Sequence, residues 1–241
     1  MTTSTQDPVL SVKGLAIAFG SRVVIRDLSF DVQARECMSI IGPNGSGKTV
    51  LLEALLGLIP SEGRIQWRPE ARLGYVPQRV AADRQLPLRV SDLLAAKARV
   101  LGLPATELPR VCDEVGLASD VLDSRIGALS GGQFQKTLIA FAMLGQPNVL
   151  LFDEPTASLD ELSEEHIYDL LDNLRKSTGI TLILVSHDLS IVFRYASTVL
   201  CLSKATTCLG PPREILTPGM LAELYGAPPK YHGHTDGREQ R

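Results

Sequence analysis

A chain of 241 residues, 44% hydrophobic and 21% charged, has ample material for a packed core, which excludes a disordered or low-complexity polypeptide. Its net charge of -3 carries no global electrostatic footprint for nucleic acid, so a nucleic-acid partner is not expected. The opening MTTSTQDPVL lacks the basic-then-apolar pattern of a leader, and no apolar run approaches the roughly 20 residues that cross a bilayer. The sequence therefore reads as a soluble chain, still free to dock on a membrane protein.

LSVKGLAIAF (10–19) and VVIRDLSFDV (23–32) read as an antiparallel pair of strands. CMSIIG (37–42) is a continuous apolar run, suited to a strand buried on both faces. A glycine-rich turn follows, and KTVLLEALLGLI (48–59) then reads as a helix closed by PSEG. GRIQW (63–67) and RLGYVPQ (72–78) are further short strands. From about 88 to 145 the pattern turns helical: VSDLLAAKARVL, LPRVCDEVGL, then a helix opened by Ser130, in which Phe134, Leu138, Phe141 and Ala142 recur at helical spacing. NVLLFDEP (148–155) and ITLILVSHD (180–188) are two more buried strands. Between them ELSEEHIYDLLDNLRK sets Ile167, Leu170, Leu171 and Leu174 on one helix face. This alternation defines an α/β fold. There is no internal repeat, and the tail PPKYHGHTDGREQR (228–241) is polar. Cys37, Cys112, Cys201 and Cys208 contain no CxxC pair, which points to four reduced thiols rather than a disulfide frame or a zinc site.

GPNGSGKT follows one strand and opens a helix, and it matches G-x-x-x-x-G-K-[ST]. Gly42, Pro43, Asn44, Gly45, Ser46 and Gly47 supply backbone N–H groups that cradle phosphate oxygens; Lys48 supplies a cation for the β/γ-phosphates and Thr49 a hydroxyl for Mg2+. The bland alternative is a glycine-rich turn beside a surface lysine. The flanking strand and helix favour the cradle.

Asp153 and Glu154 end a buried strand. There Asp153 would hold Mg2+ through water and Glu154 would polarise the water that attacks the γ-phosphate. A solvated pair of acids is the competing reading, weakened because ligands bind at the carboxyl ends of such strands. His187 ends the next buried strand. A lone histidine is more often structural, but this position suits a γ-phosphate contact.

Ser130 stands as an N-cap before Gly131 and Gly132, whose bare N–H groups at a helix N-terminus suit an anion. Together with Leu129 and Gln133 they spell LSGGQ, just before NVLLFDEP, and SLD (158–160) comes just after it. Five motifs in this order resemble the nucleotide-binding subunits of ABC transporters over about residues 9–216. The resemblance implies a P-loop NTPase ABC ATPase fold, with a mixed or parallel core sheet, an antiparallel β subdomain and a helical subdomain inserted at about 88–145; residues 217–241 follow as a tail. It implies that Gln78 touches Mg2+ and signals to a transmembrane permease, and that Phe19 stacks on adenine, although Phe19 reads equally well as a core aromatic at a strand end. It implies two copies facing head to tail, with Ser130, Gly131, Gly132 and Gln133 of one closing on the nucleotide of the other and Asp160 crossing the interface. The site of action is then the cytoplasmic face of the membrane.

TVLCLSKATTCLGPPREILTPGMLAELYG resembles the ATPases of the zinc/manganese/iron-chelate import family, as does VPQRVAADRQLPLRVSDLL. That resemblance implies divalent-metal cargo and an extracytoplasmic metal-binding protein beside the permease. His232 and His234 read as plain polar residues of the tail more readily than as weak metal ligands. Val50 stands where the family has Ser or Thr and loses one α-phosphate contact; Lys136 and Phe141 replace arginines of the signature helix. None is a hydrolytic residue, so ATPase activity is expected. Another cargo or direction is the alternative. A soluble non-transport ABC ATPase fits poorly, since the chain carries neither a coiled-coil insertion nor a second ATPase half.

Overall fold

The structure is a computed structural model that describes residues 7–78, 87–104, 106–154, 161–203 and 207–226. β1 (Leu10–Phe19) and β2 (Arg22–Val32) form the expected antiparallel pair, and β4 (Glu62–Trp67) joins the other edge of β1. The central sheet runs β5-β6-β7-β3-β8-β9, from β3 (Cys37–Ile41), β5 (Leu73–Val76), β6 (Val149–Asp153), β7 (Thr181–Val185), β8 (Thr198–Leu202) and β9 (Thr207–Gly210). All its pairings are parallel except β8–β9.

Strands β3, β6 and β7 are buried along their whole length, as their unbroken apolar runs require. Their side chains alternate between two layers. Leu150 and Phe152 face one core with the helical region; Val149 and Leu151 face another with α1 (Lys48–Leu55) and the antiparallel sheet. A third cluster joins Ile41 and Cys201 to Leu221 and Leu224 of a C-terminal helix (Pro218–Tyr225).

The helical region contains α2 (Val90–Val100), α3 (Glu107–Glu114), α4 (Ser119–Leu122) and α5 (Gly131–Met143). On α5 the most buried apolar residues are Ile139, Ala140, Ala142 and Met143, while Phe134, Leu138 and Phe141 are only half-buried. The buried face is therefore rotated from the apolar spacing, because α5 is enclosed by the sheet and by neighbouring helices. α6 (Glu161–Thr178) buries Ile167, Leu171 and Leu174 as expected, with Tyr168 in addition and Leu170 half-buried.

Two expectations need correction. Helix α1 stops at Leu55 rather than at residue 59. Gly57 takes φ 70, Leu58 N–H donates to the Glu53 carbonyl and Gly57 N–H to the Ala54 carbonyl, so the chain reverses in a Schellman motif. The cysteines are not all free: the antiparallel β8–β9 register sets Cys201 opposite Cys208, and the two are joined as a disulfide, while Cys37 and Cys112 are buried free thiols. Burial pushes the Cys37 thiol up to about 12.

The two departures on α5 find partners. Lys136 donates to the Gly116 carbonyl at 3.1 Å, beyond the end of α3. Lys97, from the last turn of α2, donates to the Phe141 carbonyl and lies 4.2 Å from the centre of the Phe141 ring. Phe141 thus presents a π face and a helix-end carbonyl to a cation instead of supplying one.

Candidate functional site

The parallel strands end together, and the loop after β3 fills the space above them. Gly42 is required there: its φ is 155, and a Cβ would lie 2.0 Å from the Leu202 carbonyl oxygen at the end of β8. The loop then curls back into α1, whose first residue is Lys48. Lys48 is buried and donates to the carbonyls of Gly42 at 2.9 Å and Pro43 at 3.3 Å. Its ammonium also lies 3.7 Å from Glu154 Oε1.

Glu154 is the residue after β6, with φ 44. A side chain in that left-handed region costs roughly 1–3 kcal/mol, and such strain persists where the surroundings impose it. Gln78 Nε2, two residues beyond β5, donates to Glu154 Oε2 at 2.6 Å. The carboxylate is therefore held between an amide and an ammonium.

Asp153, the last residue of β6, is 1% exposed, and neither of its Oδ atoms accepts a hydrogen bond of normal geometry. Burial raises its carboxyl pKa, with the nearby Thr49 hydroxyl and Lys48 acting the other way. The buried Asp153 carboxylate beside the Thr49 hydroxyl, with the Gln78 carboxamide held at the adjacent Glu154, offers the oxygen donors that Mg2+ takes. The residues present fit the ion.

A cavity of about 570 Å3 opens above these groups. Asn44, Gly45, Gly47, Lys48, Thr49 and Val50 form its floor. Gln78 and Glu154 form one wall, and Phe19, Arg22 and Val24 from the β1–β2 hairpin form another. Phe19 is half exposed, at the cavity and not in the core. Gly42, Pro43, Ser46 and Asp153 are not part of this lining. His187 is exposed and does not line it. Asp160, His232 and His234 fall outside the described residues. Arg22 and Val24 were missed; the signal that finds them is strand register, because Arg22 pairs with Phe19 across the hairpin.

Ser130, Gly131, Gly132 and Gln133 do not reach this cavity. Ser130 Oγ accepts from Gln133 N–H at 3.2 Å, and Gln133 Oε1 accepts from Ser130 N–H at 3.0 Å, a closed capping box. Among the described residues, the Gly131 and Gly132 N–H groups have no acceptor.

A phosphate loop between a buried strand and a helix, with paired acids at the end of β6, two places along the sheet from β3, defines a P-loop ATPase. The profile of the ABC transporter family matches residues 25–157, and the chain belongs to that family, as an ATP-binding and ATP-hydrolysing subunit. It is 40% identical over 219 residues to the zinc import ATP-binding protein ZnuC of Cereibacter sphaeroides, covering 90% of this chain and 88% of the relative. It is 38% identical over 224 residues to the ZnuC of Yersinia pseudotuberculosis, covering 91% and 86%. A solved structure assigned to a metal-chelate type ABC transporter, in an inward-facing conformation, superposes with a TM-score of 0.84 at 27% identity, covering 92% of this chain and 90% of that one. Among the described residues no helix is long and apolar enough to cross a membrane.

Proposed function

We propose that this chain energises an importer of a divalent metal ion of the zinc or manganese type, from the cytoplasmic face of the membrane, as a head-to-tail homodimer on a transmembrane permease served by an extracytoplasmic metal-binding protein. The 40% identity to a zinc import ATPase over nine-tenths of the chain carries the cargo reading. The ATPase unit spans 9–216, with the helical subdomain at about 88–145, and 217–241 follow it.

The site geometry supports a role for each residue. The Glu154 carboxylate lies 3.7 Å from the Lys48 ammonium and accepts from Gln78. An incoming γ-phosphate competes for Lys48 with more charge and more acceptors. Glu154 then exchanges the ammonium for water, which it polarises for in-line attack. Phe19 offers its exposed ring to the adenine, and the loop from Gly42 to Gly47 offers its N–H groups to the phosphates. Thr49, Gln78 and Asp153 would hold Mg2+, which supplies charge neutralisation on the phosphate oxygens. His187, two residues beyond β7, would contact the γ-phosphate, and Asp160, outside the described residues, would serve the subunit interface. The uncovered amides of Gly131 and Gly132, remote from their own cavity, suit the second subunit's nucleotide.

The test is uptake of radiolabelled zinc and manganese by cells lacking this chain. Restored wild-type protein should return uptake, and Glu154→Gln should not. Uptake indifferent to the chain, or loss of a ferric chelate's uptake alone, would overturn the cargo reading.

A further inference from the structure

Arg22 stands in the nucleotide cavity without a role. It faces Phe19 across the two-residue turn from β1 to β2. Directly opposed residues of an antiparallel pair project from the same face, so ring and guanidinium share one wall. Val24, at the register shift of β2 and lining the same cavity, lies against the phosphate loop: a Cβ on Gly47 would come 2.8 Å from its Cγ1. Two strand residues span at most ~7 Å, so Arg22 is rooted close to the phosphate loop, between Val24 at the loop and Phe19 across the turn. Among the described residues it forms no ion pair and no side-chain hydrogen bond.

The opposite side of that stretch is deficient. Val50, in the first turn of α1, lines the same cavity and carries no donor. Lys48 is tied to the Gly42 and Pro43 carbonyls at the far end of the phosphate chain. Among the described lining residues, Arg22 is the remaining cation. A guanidinium presents planar paired donors that fit a phosphate, and its length spans the gap.

We propose that Arg22 binds the α-phosphate of the nucleotide, supplying the contact that Val50 cannot make. This rests on the cavity being the nucleotide site. The α-phosphate is common to ATP and ADP, so calorimetric titration of the full chain with each nucleotide tests it. Arg22→Ala should weaken ATP and ADP by the same factor, about tenfold or more for a charge-assisted contact, and Arg22→Lys by less. In the Arg22→Ala background Val50→Thr should recover much of the affinity, a larger gain than the same change makes in the parent chain; that non-additivity is the signature of one shared ligand oxygen. Unchanged affinity in Arg22→Ala, a loss confined to ATP, or a loss that Val50→Thr leaves in place would each overturn the proposal, the second pointing to the γ-phosphate and the third to stacking on the base. If the unaltered chain bound neither nucleotide, the nucleotide-site reading itself would fall.

Discussion

At the residue scale the decisive arrangement is two side chains around one carboxylate. Glu154 takes a left-handed backbone conformation at the end of β6, and there it meets both Lys48 and Gln78. Its neighbour Asp153 differs in kind: buried, it is pushed upward in pKa chiefly by loss of solvent, which outweighs the nearby Thr49 hydroxyl. Between its unfolded and folded pKa values the folded chain keeps a proton that the unfolded chain has released. Stability therefore falls as pH rises through that interval, and stays reduced above it. Asp153→Asn removes this penalty. Its melting temperature should exceed the parent's at neutral pH by ~2–4 °C for each kcal/mol relieved, and the gap should close as pH falls below the ordinary carboxylate range. Calorimetry across that range checks it; a gap that widens in acid would contradict the account.

At the element scale three helix ends share one solution. After α1, α2 and α3, Gly57, Gly102 and Gly116 all take positive φ, and the next residue, a leucine each time, donates back to Glu53, Ala98 and Cys112. Each end is written locally as an apolar residue, Gly, then Leu, the hydrophobic Schellman pattern. The end of α5 is closed by another device. Lys97 caps the Phe141 carbonyl while lying over its ring, and so fastens α2, the helix after Gln78, to the helix that begins at the signature. Among the described residues no carboxylate pairs with Lys97, and burial lowers its pKa. Lys97→Met should destabilise the chain by about 1–2 kcal/mol, the sum of a helix-end charge and a half-buried cation–π contact, and Lys97→Arg by less. Urea unfolding midpoints read both; equal losses in the two variants would show that charge is irrelevant there.

At the scale of the whole molecule, the phosphate-loop cavity and the start of α5 stand apart. The cavity contains Lys48 and Glu154 and excludes Ser130 to Gln133. The capping box satisfies Ser130 and Gln133 internally and leaves two glycine amides bare. If those amides close on a second subunit's nucleotide, Ser130→Arg should bind ATP with nearly parental affinity and hydrolyse none. Mixed with Lys48→Ala, itself defective in binding, it should recover part of the activity, because one of the two composite sites in a mixed dimer is intact. Loss of ATP binding by Ser130→Arg alone would place the serine at its own subunit's nucleotide.

Local chemistry was enough for much of this. The strand–GPNGSGKT–helix succession, the acids ending β6 and the cap at Ser130 depend on neighbours a few residues away, and each was legible in order. The glycine ends of α1 and α3 were equally local, but the apolar residues beyond the glycine kept the helical spacing and masked the stop. Tertiary structure alone decided what depends on distant partners. The β8–β9 register joins Cys201 to Cys208. The packing around α5 turns its buried face away from Phe134, and an aromatic opposite Lys97 became a helix tie. The β1–β2 register carries Arg22 into the cavity with Phe19. A sequence specifies which groups a segment offers; which group faces which across strands and helices follows from register and packing, set by contacts between residues far apart in the chain.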